Sequence, residues 1–224
     1  DLHSFPTRRS SDLEPDKDGL PTHENLNGDK DANGRDIINA LDNQIIGSPY
    51  PDLYYGINPT VKYKNITLSM VWTGVSGAAI NNAGLFDLVN PTISNQYNKL
   101  KAANDFYPKP SQAAGNLHIR SSRFMEDGSF FRMRNIRLDY RFNIRKNRVI
   151  KNLNVYVSGQ NLITFTDYSG YDPEVNTFSG NDRRQGVDLG SYPSSKIVNL
   201  GFSIIFPRLF TGSRIAHRRR PGRP

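Results

Sequence analysis

The sequence predicts an all-β chain, the C-terminal part, about five strands, of a large antiparallel transmembrane β-barrel with long extracellular loops. Three observations predict it. Apolar and polar residues alternate with period two in several stretches, the pattern of a strand with one dry face and one wet face. The last of these stretches, Lys196 to Phe206, has the length a tilted strand needs to cross a bilayer, roughly 9 to 11 residues. The connections between strands are short and long in strict alternation, about 2, 55, 10 and 30 residues, which places the short turns at one end of the sheet and the long loops at the other. Five strands are too few to close a barrel, whose smallest known form has about eight.

The first pair of strands is a hairpin. Tyr55, Ile57, Val61 and Tyr63 share one face, as do Ile66, Leu68, Met70 and Trp72, and a two-residue turn at Lys64-Asn65 pairs Tyr63 with Ile66. Asn58, Thr60, Lys62, Thr67, Ser69 and Thr73 then form a polar inner face, and Pro59 removes one ladder donor. In the third strand, Phe131 and Met133 have one parity while Ile136, Leu138, Tyr140 and Phe142 have the other, so a bulge is expected near Arg134-Asn135. Arg137, Asp139 and Arg141 face inward. After a short basic turn over Asn143 to Asn152, Leu153, Val155 and Val157 alternate with Asn154, Tyr156, Ser158 and Gln160. In the closing strand Val198, Leu200, Phe202, Ile204 and Phe206 oppose Asn199, Gly201 and Ser203. Tyr54, Tyr55, Tyr63, Trp72, Tyr140 and Phe142 sit near strand ends, where interfacial aromatic girdles occur.

Between these strands the chain is polar. Glu14 to Asp52 is expected to be a loop, as are Val75 to Ser129, with a short helix over Ser94 to Ala103, and Thr166 to Ser195. Asp29, Asp31, Asn33 and Gly34 reproduce the first half of a calcium loop, but the twelfth position is Ala40, so a solvated turn is the competing reading. The formal charge of +8 belongs to the tail. Setting aside the eight Arg and two Asp of residues 1–13 and 207–224 reduces 29 basic and 21 acidic residues to 21 and 19, which argues against a nucleic-acid partner. His3 to Leu13 resembles a reading frame of a sequencing-library adapter, and Pro207 opens a stretch without apolar periodicity, so residues 14–206 are expected to be the native portion, flanked by an artefact at 1–13 and a non-native basic tail at 207–224. Cys is absent, which removes disulfides and thiolate metal sites.

Several blocks carry a family resemblance. Ile46-Gly47-Ser48-Pro49, Glu126 through Ile136, Tyr156 through Leu162, Tyr168 through Glu174, Gly186-Val187-Asp188 and Gly190-Ser191-Tyr192-Pro193 occur in the order and spacing of the C-terminal part of SusC/RagA-type TonB-dependent outer-membrane transporters. The resemblance covers roughly residues 42–206. It implies a barrel of about 22 strands plugged by an N-terminal domain, in the outer membrane of a Gram-negative bacterium. It also implies import of oligosaccharides or peptides beneath a SusD-like surface lipoprotein, with energy delivered through TonB to parts absent here. Outer-membrane lipid and the barrel-assembly machinery follow as partners, and the family's terminal aromatic signal maps onto Phe206, with Phe202 and Ile204 in the same row.

No catalytic constellation is present: there is no HExxH, phosphate-cradling glycine loop or nucleophile elbow, and His3, His23, His118 and His217 are scattered, so no enzyme activity, metal or cofactor is expected. Asp167, Asp172, Glu174, Asp182 and Asp188 read as solvated loop acids. For ligand contact the candidates are Tyr168, Tyr171 and Tyr192 with Asp172 and Asp188, because aromatic faces cover sugar C–H patches while carboxylates accept hydroxyl hydrogen bonds. Alternatively the tyrosines pack the loop on the barrel rim and Asp172-Pro173 starts a turn. Two other readings share the strand pattern. A secreted β-sandwich that binds glycans would bury Val198, Leu200 and Phe202 against a second sheet, and a passive porin would lack the plug.

Overall fold

The computed structural model describes residues 6–8, 24–37, 39–90, 98–101, 103, 121–144, 150–175, 177 and 185–206. In chain order the strands are β1 (Pro6–Arg8), β2 (Asn43–Ile45), β3 (Leu53–Ile57), β4 (Thr60–Tyr63), β5 (Ile66–Ser76), β6 (Ala79–Asn82), β7 (Met125–Asp127), β8 (Phe130–Asn143), β9 (Asn152–Gln160), β10 (Thr164–Thr166), β11 (Val187–Asp188) and β12 (Ile197–Ile205). The α-helix α1 spans Ala83–Val89. No helix among the described residues is long and apolar enough to cross a membrane, a fact that says nothing about crossing by strands.

The main sheet has five positions, because two of them hold a strand in two pieces. β3 and β4 both pair with β5, and the register that joins Ile57 to Trp72 continues unchanged at Thr60–Ser69 and ends at Tyr63–Ile66 across the Lys64-Asn65 turn. The interruption is Pro59, which has no N–H, yet its carbonyl still accepts from the Met70 N–H at 3.0 Å. β9 and β10 also both run along β8, but their register shifts by one residue across 161–163, where Asn161 with a φ of 52° marks the kink. The predicted bulge is present: pairing of β5 with β8 slips between Val71–Asn135 and Trp72–Met133, and Arg134 is the extra residue. Neighbouring strands are consecutive and antiparallel, so the short connections lie at one end and the long ones at the other.

Register then fixes the faces. Val61, Leu68, Leu138, Val157 and Leu200 form one cross-sheet row, and Tyr63, Ile66, Tyr140, Val155 and Phe202 form the next. Between them on the reverse side run Lys62, Thr67, Asp139, Tyr156 and Gly201. The apolar face has no protein over it at its far edge: Val198, Leu200 and Phe202 are 69%, 80% and 72% exposed. Its two ends are aromatic. Trp72 stacks on Phe131 at 4.9 Å between Tyr55 and Phe165, and Tyr140 meets Phe142 edge-on at 4.5 Å. Nine residue steps of about 3.3 Å from Phe131 to Tyr140, tilted by about 40°, span about 23 Å, close to the roughly 25 Å apolar band of outer-membrane barrels.

On the polar face Arg137 holds Asp139 through two hydrogen bonds of 2.8 and 2.9 Å, Asn154 adds a third at 2.8 Å, and the guanidinium lies 3.6 Å from the Tyr156 ring centroid. That ring occupies the space a Cβ at position 201 would need, which accounts for the glycine in the closing strand.

The long connections are more ordered than the sequence suggested. β6 is the centre of a separate three-stranded sheet, antiparallel to β7 and parallel to β11, so residues from the 77–129 and 167–196 connections share one ladder. Asn82 ends β6 and caps α1 by accepting the Leu85 N–H at 2.9 Å. The helix turns Phe86 and Val89 onto Phe124 and Ala103, with the two rings edge to face at 5.3 Å. The helix expected over Ser94 to Ala103 falls largely outside the described residues; 98–101 are not helical, whereas Ala103 is. Pro6–Arg8 of the adapter-like segment pairs with Asn43–Ile45, and residues 207–224 lie outside the described residues.

Gly201→Ala should destabilise the sheet by about 1–3 kcal/mol through collision with Tyr156, and Tyr156→Ser should recover most of the loss. Thermal unfolding of the single and double variants in the full-length protein measures this coupling; additive losses would remove the steric explanation.

Candidate functional site

β8 enters the loop region with Arg132 and Arg134 on the polar face. Arg132 pairs across the ladder with Thr73, and Arg134 Nε donates to the Thr73 hydroxyl at 2.7 Å. Arg132 is 3% exposed, and such a cation needs full pairing to be tolerated. Its Nη2 donates to Asp172 at 2.5 Å, its Nη1 to Glu174 at 2.6 Å and Ser194 Oγ at 3.3 Å, and its Nε to Thr164 at 2.9 Å. Arg134 completes the group with a two-pronged contact to the Glu174 carboxylate. Two cations and two anions therefore neutralise one another, fastening the 172–174 turn to the sheet.

Asp172 is the joint of this arrangement. One oxygen accepts Arg132 and the Glu174 N–H at 3.0 Å; the other accepts the Ser194 N–H at 2.9 Å. Burial pushes its carboxyl up, but the Arg132 guanidinium and the N–H groups of Ser194 and Glu174 outweigh burial and hold it down at about 2. Asp188 plays a similar part on the other side of the loop. It accepts the Tyr168 hydroxyl at 2.6 Å and the N–H groups of Gly190 and Ser191 at 2.8 and 2.9 Å. Burial, then the Asp188 carboxylate, raises the Tyr168 hydroxyl far above its ordinary value. Glu126 ties the same loop to β6, accepting from Asn82, Ser169 N–H and Ser169 Oγ.

The five candidate residues thus divide. Tyr168, Asp172 and Asp188 are buried and engaged in holding the loop, whereas Tyr171 and Tyr192 are 77% and 92% exposed. The last two line a cleft of about 630 Å³ whose floor includes Arg132 and Asp172 and whose sides include Asn161, Thr164, Thr166 and Lys196. A second, smaller hollow of about 220 Å³ lies between α1 and the Gly170-Tyr171 and Gly190 segments. Of the loop acids, Glu174 joins the ion group and Asp182 lies outside the described residues.

The half calcium loop forms a tight turn. Asp31 accepts the N–H groups of Asn33 and Arg35 at 2.8 Å, and Gly34 has a φ of 76°. Among the described residues no three His, Cys, Asp or Glu side chains converge as a metal site would need. Phe206 and Phe202 are exposed on the apolar face of the closing edge, and Ile204 lies between them in the same row.

Arg132 is the residue sequence reasoning passed over. The available signal was charge parity: two arginines on the inward side of a strand require anions, and the nearby loop supplies Asp172 and Glu174.

No family model matches the chain. Curated relatives do. The chain is 32% identical over 194 residues to TonB-dependent receptor P3 of Formosa agariphila, covering 81% of this chain and 19% of that protein. It is 30% identical over 211 residues to TonB-dependent receptor P26 of the same organism, covering 88% and 21%. It is 29% identical over 199 residues to TonB-dependent receptor SusC of Bacteroides thetaiotaomicron, covering 85% and 18%. The chain spans about a fifth of the length of the curated relatives it matches. Among solved structures, the RagAB peptide importer in its closed-closed state shares the fold with a TM-score of 0.71 at 23% identity, over 90% of this chain and 23% of that one.

Asp172→Asn should cost about 3–5 kcal/mol, because it leaves Arg132 buried with too little negative charge. Since Asp172 titrates lower in the folded chain than its ordinary value of 3.8, its stabilisation is full above about pH 4 and is lost as pH falls through about 2. Hydrogen exchange of the 168–175 and 191–196 segments tests both statements; protection unchanged in the variant and down to pH 2 would count against them.

Proposed function

We propose, for a chain that belongs to the SusC-like TonB-dependent receptors, that it forms part of the barrel wall and mouth of an outer-membrane importer driven through TonB. One observation carries the reading: a five-position antiparallel sheet presents unbroken apolar rows, bounded by aromatic clusters, that no described residue covers at Val198, Leu200 and Phe202. In water such a face would cost roughly 25 cal/mol per Å² left exposed, so its natural cover is lipid. The polar face, with Arg137, Asp139 and Asn154, then lines the lumen, and the shared loop sheet lies outside the cell.

Oligosaccharide or peptide cargo fits the relatives' names, SusC on one side and a peptide importer on the other. A SusD-like lipoprotein is the partner expected over the mouth, and Phe206, with Phe202 and Ile204, is the signal offered to the barrel-assembly machinery. The native boundary at Phe206 belongs to the same reading. A sandwich would need a second sheet over Leu200, which is 80% exposed. A passive porin is disfavoured by relatives named as TonB-dependent receptors.

In the full-length protein, Leu200→Arg should destabilise the folded barrel by about 2–4 kcal/mol, whereas Asn199→Arg on the opposite face should cost less than about 1 kcal/mol. Heat-modifiable electrophoretic mobility and outer-membrane abundance report this difference. Equal tolerance at the two positions would sink the lipid-facing assignment. Uptake of labelled oligosaccharides and peptides should stop when TonB is deleted; uptake that persists would favour a porin.

A further inference from the structure

The cleft between Tyr171 and Tyr192 is a built feature rather than a gap between loops. Its floor is Arg132 and Asp172, whose charges are committed to each other within the group that Glu174 and Arg134 complete. The hydrogen bond from the Ser194 N–H to Asp172 joins the segments that carry Tyr171 and Tyr192. Two exposed tyrosine rings are therefore carried by the two segments of one clasp.

The side groups define the chemistry. Thr164 and Asn161 supply a hydroxyl and an amide, the Thr166 hydroxyl being committed to the Ser129 carbonyl and the Tyr168 N–H, and Lys196 is the exposed cation at the foot of β12. Lys196 makes no ion pair with any described residue, while the acid at the floor is already spent on Arg132. At about 630 Å³ the cleft falls in the range of small-ligand sites, roughly 300–1,000 Å³. It sits on the polar face at the long-loop end of the sheet, since Thr164 and Thr73 contact the two arginines from that side.

We infer that this cleft is a cargo subsite for an acidic saccharide unit: Tyr171 and Tyr192 cover its C–H faces, Thr164 and Asn161 meet its hydroxyls, and Lys196 receives its carboxylate or sulfate. The inference rests on the importer reading and adds the charge of the cargo and the place where it is sensed. A peptide is the less suited occupant. The cleft offers side-chain hydroxyls, an amide, aromatic faces and a cation rather than an apolar side-chain pocket, by which peptides are usually selected.

The test uses the full-length transporter purified in detergent and two probes, tetragalacturonate and a chondroitin sulfate tetrasaccharide, with methyl-esterified tetragalacturonate as the neutral control. Calorimetry should show binding of at least one acidic probe, weaker binding of the ester, and an affinity that falls with added salt. Tyr171→Ala and Tyr192→Ala should each lower affinity for the acidic probe by about tenfold. Lys196→Gln should lower it by a similar factor and leave affinity for the ester unchanged, with heat-modifiable mobility as the folding control. Binding of neither acidic probe, equal loss for acid and ester in Lys196→Gln, or displacement of the acidic probe by an acidic peptide at lower concentration would overturn the inference. The two readings fail separately. Binding without TonB-dependent uptake keeps the subsite and removes the importer, while TonB-dependent uptake of peptides alone keeps the importer and removes the subsite.

Discussion

A sheet whose apolar face is left uncovered is the constraint on which the rest of this structure depends. In an ordinary soluble domain the rows Val61 to Leu200 and Tyr63 to Phe202 would be the core. Here the buried hydrophobic residues lie mostly elsewhere: Ile80, Phe86, Val89, Phe124, Tyr168 and Val175 belong to the long connections. The chain thus has its dry interior in its loops and its apolar exterior on its strands. Because side chains alternate, a slip of one residue anywhere in the register would exchange the faces and put Arg137 and Asp139 where Leu138 stands. The slip at Arg134 is a local insertion that corrects parity, keeping Phe131 on the same side as Ile136.

That inversion explains what was legible in the sequence. Hairpin register, the break at Pro59, the bulge near Arg134-Asn135 and the five-strand count all follow from period-two patterning and turn chemistry, which are local properties. The loops were less legible because their order comes from pairings between distant short segments. β11 has only two residues, Val187 and Asp188, and it is recognisable as a strand only once β6 is beside it. α1 is seven residues long, too short for a periodic signal to stand out, and depends on the Asn82 cap and on Phe124 for its place. β10 was hidden by the kink at Asn161, which makes one strand look like a strand and the start of a loop.

The candidate site shows the same division. Aromatic and acidic residues in the 168–192 region marked it as special, but their types did not distinguish wall from framework. Tyr168 and Tyr171 are three residues apart, and one is buried against Asp188 while the other stands in solvent. What separates them is partner geometry, which no spacing rule encodes. Arg132 is the clearest instance: its importance comes from being inaccessible and fully paired.

This separation has a consequence for engineering and for divergence within the family. The residues that fasten the loop, Arg132, Asp172, Glu174 and Asp188, do not supply the exposed rings of the cleft. Tyr171 and Tyr192 sit on the outer side of that framework and carry none of its hydrogen bonds to Arg132 or Ser194. The cleft is therefore modular: its walls are free to be exchanged, by design or by drift, while the clasp beneath them stays as it is.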